Sequence, residues 1–171
     1  MISVVRGALT DQPVEVIVNA ANTRMRGGGG IDGRIHHLAG RGMLEELRRV
    51  APSGAEVAEP VVTSGHDLPH RYVIHIAGPV WREIGDEPDL LEATYRNAYL
   101  KAVELGVESI GFCSISTGAF GFPLELGGEI AVQTISALVT EQPLKVVFAM
   151  YGLEEFEVFR QLLSARGSEN S

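Results

Sequence analysis

Two short segments, Val14–Val18 and Lys145–Met150, are apolar on both alternating faces, and this limits the possible folds more than any other feature. A strand with two apolar faces must be covered from both sides, which a one-sided antiparallel sheet does not provide. Four further runs have the length and residue types of strands: Ile2–Val5, Pro60–Thr63, Tyr72–Ile76 and Ser109–Cys113. Between them lie helix-like segments, Asp32–Ala39, Gly42–Val50, Asp89–Leu105, Leu126–Thr140 and Glu154–Ala165. In the third, Leu91, Tyr95, Ala98, Ala102 and Leu105 recur on one stripe, and Gly106 follows where helices commonly stop. Strands alternating with helices predict an α/β layered fold with a largely parallel sheet. Ligands of such folds bind beyond the carboxyl ends of the strands. That rule selects the segments after Val18, after Cys113 and after Met150.

A chain of 171 residues suits one domain that buries roughly 70% of its unfolded surface. No linker or repeat divides it, so residues 1–166 read as a single domain and residues 167–171 as a disordered tail. A net charge of −8 lacks the basic face that nonspecific nucleic-acid binding requires. No apolar run reaches the ~20 residues needed to cross a bilayer, and the opening MISVVRG lacks the pattern of a secretory leader. The single cysteine, Cys113, excludes an internal disulfide and fits a reducing compartment. It reads as a small buried residue of its strand. The expectation is a cytoplasmic monomer with neither nucleic-acid nor membrane partners.

Negative charge does not exclude a nucleotide, because backbone amides and helix starts can hold phosphates. Glycine is abundant, 20 residues in all, and four stand together at Gly27–Gly30. Such a run costs about 1 kcal/mol per residue relative to alanine in regular structure, and is tolerated where the backbone must approach something closely. Around it stand Asn19, Asn22, Asp32 and His36. Asparagine amides suit sugar hydroxyls, and Asp32 and His36, spaced i, i+4, share a helix face where they can orient a water. Taken singly, the asparagines also suit a turn after a strand, and Asp32 an N-cap. The run lacks the Lys-Ser/Thr ending of a P-loop and the spacing of a dinucleotide fingerprint.

The segment VIVNAANTRMRGGGGIDGRIHHLAG resembles the signature of the macro domain family, and of its MacroD-type branch in particular. The resemblance continues through YVIHIAGPVW, SIGFCSISTGAFGFP and VVFAMYG, in the family order and over nearly the whole chain. It implies a three-layer α/β/α fold with a central mixed sheet and ADP-ribose lying across the strand ends. MacroD-type members hydrolyse mono-ADP-ribose from acidic side chains and deacetylate O-acetyl-ADP-ribose. By resemblance, Asn22 would hold the distal ribose, Asn19 would support the loop, and Asp32 would orient or activate the attacking water. His36 would place Asp32, and the backbone of Gly28, Gly29 and Gly30 would line the distal ribose and diphosphate, beside Ala20 and Ile31. No metal or organic cofactor is required; ADP-ribose is the ligand or product.

The second loop offers successive amides at Ser116, Thr117, Gly118, Ala119, Phe120 and Gly121, a nest suited to a diphosphate. By itself it reads first as a plain strand–helix turn. The resemblance makes it the phosphate loop, with Phe120 near the distal ribose and Tyr151 against adenine. The chain departs from the family after its first strand. Where relatives carry Gly-Asp-Ile-Thr, with the acid accepting from the adenine amine, it reads Gly7, Ala8, Leu9, Thr10. Adenine contacts are therefore expected at Ala8 and Leu9 without that acceptor, unless Asp11 substitutes. His66, Asp67 and His70 read as a solvated loop rather than a metal site, and Trp81 with Arg82–Asp89 as a loop capping the sheet.

The leading expectation is a hydrolase that cleaves ester-linked groups from the distal ribose of ADP-ribose. Its partners would be ADP-ribosylated proteins or O-acetyl-ADP-ribose. The alternatives are a reader module that binds ADP-ribose without turnover, and a phosphatase acting on an ADP-ribose phosphate.

Overall fold

Six strands form one sheet in the computed structural model, which describes residues 1–169. In chain order they are β1 (Ile2–Arg6), β2 (Val16–Ala21), β3 (Val61–Ser64), β4 (Tyr72–Ala77), β5 (Ser109–Phe112) and β6 (Lys145–Met150). The order across the sheet is β1-β6-β5-β2-β4-β3. All neighbours run parallel except β3, which runs antiparallel to β4 at one edge, so the sheet is mixed. The helices are α1 (Gly30–Ala39), α2 (Arg41–Val50), α3 (Glu87–Leu105), α4 (Leu124–Glu141) and α5 (Leu153–Glu169). The architecture is the expected three layers, α/β/α. One helix exceeds its expected end: α5 continues through Gly167 to Glu169, where a tail was expected to begin. Extending a formed helix adds one hydrogen bond for each residue fixed, so a single glycine need not stop it. Asn170 and Ser171 lie outside the described residues.

The two-residue period of the strands sorts side chains between the layers. Val16 and Val18 of β2, Ile74 and Ile76 of β4, and Val146 and Phe148 of β6 face one core, covered by α3, α4 and α5. Tyr95, Phe112, Phe148 and Phe159 form a chain of rings there, with centroids 5.4 to 5.7 Å apart. Ile17, Val73, Val147 and Ala149 face the other core, completed by Ile35 and Ala39 of α1 and Met43 and Leu47 of α2. Asn19 and His75 occupy that second face as register partners on β2 and β4, both fully buried. Two polar side chains thus sit at the floor of the layer that carries α1.

Because β1, β2, β5 and β6 are parallel, their carboxyl ends open on one rim of the sheet. The chain turns there into the glycine run before α1, the loop before α4, and Tyr151–Gly152 before α5. Among the described residues, no helix is long and apolar enough to cross a membrane.

Candidate functional site

At that rim β2 delivers two asparagines to different places. Asn19 is not a turn former but a residue of β2 itself, with its amide nitrogen 2.7 Å from Asp32 Oδ1. Asn22 stands just past the strand and donates from Nδ2 to the carbonyl of Gly27 at 3.1 Å. Its Oδ1 accepts from the amide of Arg24, so the turn holds the side chain at both ends. Gly28 explains why glycine stands there: a side chain would begin 3.2 Å from both Asn22 Nδ2 and Asp32 Oδ2. The two polar atoms converge over that gap, at the wall of a cavity of about 310 Å³.

Asp32 is in the first turn of α1 and is buried. Burial raises its carboxyl above the ordinary value, opposed by the Asn19 hydrogen bond and the charge on His36. His36 Nε2 lies 3.4 Å from Asp32 Oδ1, as the i, i+4 spacing predicts. Its ring lies behind the glycine run, facing a separate shallow pocket beside Gly27, Gly28 and Gly33. So Oδ1 is committed to the protein interior, while Oδ2 is left toward the cavity.

Two sets of unpaired amides face the same space. Gly29 caps α1 without a side-chain partner, leaving the first amides of the helix, Gly30 and Ile31, free to meet an anion. Across the cavity, the amides of Gly118, Ala119 and Phe120 have no backbone partner among the described residues. This second loop is firmly held. Tyr95 Oη accepts from the amide of Ile115 at 2.9 Å, and the amide of Phe122 returns to the carbonyl of Ser116. Gly121 turns the chain with φ of +74°, and Ser116 adopts the left-handed region at +67°. Gly78, just past β4, permits the contact: a side chain there would collide with Ser116 Oγ.

The sequence-predicted residues divide between two adjoining cavities. Ala20, Asn22, Gly28, Gly29, Asp32, Ser116, Ala119 and Phe120 line the first, and Gly30, Ile31 and Gly118 line both. Ala8, Leu9, Thr117 and Tyr151 line the second, of about 600 Å³, where Tyr151 is 82% exposed and so free to stack. Asn19, His36 and Gly121 line neither, and act from behind or beside the walls.

Several lining or supporting groups were not singled out in the sequence. Glu155 and Arg34 line the second cavity, Glu155 folding back over Gly152. Asp11 is exposed in a 3-10 turn, Leu9–Asp11, and does not reach that cavity, so it does not stand in for the acid absent at Ala8. Cys113 is not inside its strand but one residue past Phe112, half-buried on the cavity wall, and burial pushes its thiol up to about 11. His66 pairs with Glu46 at 2.7 Å, while His70 is buried between the carbonyls of Val14 and Thr10. Glu87, read in sequence as capping loop, begins α3 and turns inward. Its carboxylate accepts from the amides of Arg82, Ile84 and Gly85 at 2.9 to 3.1 Å. Burial would raise that carboxyl, but these amides hold it down to about 2.

A family model described as Macro domain matches residues 18–131, which contain both loops and the whole of α1. The chain belongs to the macro domain family. It is 41% identical, over 98% of each chain, to a protein of Escherichia fergusonii named O-acetyl-ADP-ribose deacetylase. Among solved structures, the Oceanobacillus iheyensis macrodomain with ADP superposes with a TM-score of 0.92 at 35% identity, covering 98% of this chain and 92% of that one. The Trypanosoma brucei macrodomain in complex with ADP-ribose does so at 0.87 and 39% identity, covering 94% of this chain and 68% of the other. The mixed sheet and five helices of this macro domain are therefore a family architecture, and its rim cavities lie where that architecture opens.

Proposed function

We propose that this macro domain binds ADP-ribose across the two rim cavities and hydrolyses ester-linked groups from its distal ribose. The supporting observation is the convergence of Asp32 Oδ2 and Asn22 Nδ2 over Gly28. A carboxylate raised by burial and a fixed amide suit a site that orients a water against a ribose ester. The adenosine end enters the larger cavity beside Tyr151, and the free amides of α1 and the second loop take the diphosphate. The distal ribose meets Asn22 and Phe120. The names of the Escherichia fergusonii relative and of the two ligand-bound macrodomains agree with this reading.

In the acetyl ester, water held at Asp32 Oδ2 adds to the acyl carbon and gives its proton to the carboxylate. The tetrahedral intermediate then collapses, the bond to the ribose oxygen breaks, and that oxygen takes the proton. Acetic acid and ADP-ribose leave. The same arrangement serves an ester formed with a protein Asp or Glu side chain, which makes mono-ADP-ribosylated proteins the second substrate class. The test is release from O-acetyl-ADP-ribose and from a mono-ADP-ribosylated acidic peptide. Release that is lost in both Asp32→Ala and Asn22→Ala upholds the proposal. Undiminished release in both overturns the site, and tight ADP-ribose binding without release leaves a reader module.

A further inference from the structure

Behind Asp32 runs a buried line of polar atoms that the reaction does not touch. Asn19 Nδ2 lies 2.7 Å from Asp32 Oδ1 and 3.0 Å from His75 Nδ1. His75 Nε2 lies 3.0 Å from Thr63 Oγ1, which donates to the carbonyl of Ser64 at 2.9 Å. Asn19, His75 and Thr63 are all buried, on neighbouring strands β2, β4 and β3.

The directions of these bonds follow from donor chemistry. The Thr63 hydroxyl has one hydrogen and spends it on Ser64, so toward His75 it can only accept. The imidazole proton therefore sits on Nε2, and Nδ1 carries a lone pair. That lone pair accepts one hydrogen of the Asn19 amide, leaving the other for Asp32 Oδ1. Rotating the amide by half a turn would set Asn19 Oδ1 against both the Nδ1 lone pair and a carboxylate oxygen. Such an arrangement requires the other imidazole tautomer and a protonated Asp32. Among the described residues Asn19 Oδ1 has no hydrogen-bond partner, as expected if the amide is held through its nitrogen alone.

We infer that His75 is a positioning residue: its Nε2–H tautomer fixes the Asn19 amide, and through it the Asp32 carboxylate, with Oδ2 left for the water. Burial and the nearby charges of His36 and His66 lower its pKa to about 3, so the ring stays neutral at working pH. A singly protonated ring has only its two tautomers to choose between, and Thr63 selects one.

The inference rests on the proposed role of Asp32, and two experiments separate it from simple core filling. In the full-length protein labelled with 15N-histidine, two-bond proton–nitrogen correlations across the neutral pH range are expected to show His75 only as the Nε2–H tautomer. A Nδ1–H or charged ring would overturn the inference, whether or not any variant folds. In kinetics, His75→Asn places a carbonyl oxygen near the old Nδ1 position and is expected to keep most of kcat. His75→Gln reaches Thr63 but offers Asn19 no acceptor, and should lower kcat on the order of 10- to 100-fold, by analogy with partners that orient the ligands of a metal site. KM and ADP-ribose affinity should be unchanged in both. Equal losses in the two variants, or a loss confined to KM, would overturn the inference. Release surviving Asp32→Ala would instead sink the proposed function, whereas release lost there but intact in His75→Gln sinks this inference alone.

Discussion

Asp32 carries two opposed demands, since a carboxylate useful to a water is expensive to bury. Its raised pKa is that conflict expressed as a number of protons: the folded state holds the proton to higher pH than the unfolded chain. Above that window the ionised group lowers stability, so Asp32→Asn, which keeps an acceptor for Asn19, is expected to melt no lower than the parent at neutral pH. Ester release by the same variant should fall about 10²- to 10⁴-fold, the range of a lost general base. Thermal unfolding beside a release assay checks both, and a variant equally impaired in stability and turnover would refute the assignment. The same carboxyl predicts that kcat/KM rises with pH through a value above the ordinary carboxylate range. At the adenosine end, Ala8 lines the cavity without a polar side-chain atom to offer. Ala8→Asp is expected to tighten ADP-ribose binding by roughly 10- to 100-fold, the worth of a hydrogen bond to a charged group. Calorimetry would detect it, and an unchanged affinity would contradict it.

Between the residues and the sheet stand the two loops, whose shape depends on glycines in unequal ways. Gly33 lies inside α1, where alanine would ordinarily be favoured by up to about 1 kcal/mol. Here a side chain would begin 2.5 Å from the carbonyl oxygen of Gly28, so alanine must displace the loop beneath Asn22 and Asp32. Gly33→Ala is therefore expected to lose stability by about 1–3 kcal/mol, as overpacked sites do, and to bind ADP-ribose more weakly. A melting temperature equal to or above the parent's would contradict this. The sequence announced much at this level. The glycine run, the i, i+4 pair of Asp32 and His36, and both rim loops were legible because each is local in the chain. Asn19 was misread as a loop residue because polar side chains rarely continue a buried strand, and it took a partner to allow that. The partner, His75, lay in a recognised strand yet carried no sign of its role. Its contact with Asn19 comes from the register of β2 on β4, a long-range pairing that local periodicity does not encode. Glu155 was missed for the same reason: it is an ordinary first-turn acid of α5 until the fold brings that turn over the cavity.

At the scale of the whole molecule, the buried ionisable groups set how stability follows pH. His75 titrates near 3 in the folded protein against an ordinary 6.5, because burial and neighbouring positive charge disfavour its cation. Between those values the unfolded chain binds one more proton than the folded protein, so stability rises with pH by up to about 1.4 kcal/mol per pH unit. Glu87 acts in the same sense lower down, held at about 2 against 4.5 by the amides of the loop before α3. Its stabilising share is complete above the ordinary glutamate range and is lost as pH falls toward 2. Asp32 opposes the trend, since its raised pKa gives the folded state the extra proton just above 3.8. The expected curve therefore declines from about pH 6.5 downward and steepens once Glu87 joins, with Asp32 easing the slope over part of that range. Urea unfolding at a series of pH values measures it, and His75→Asn, which has no ring to protonate, should remove the decline above the carboxylate range while leaving the acid end in place. A parent protein equally stable at pH 7 and pH 5 would mean that His75 can be protonated inside the fold, and the neutral ring holding Asn19 would no longer be the resting state of the site.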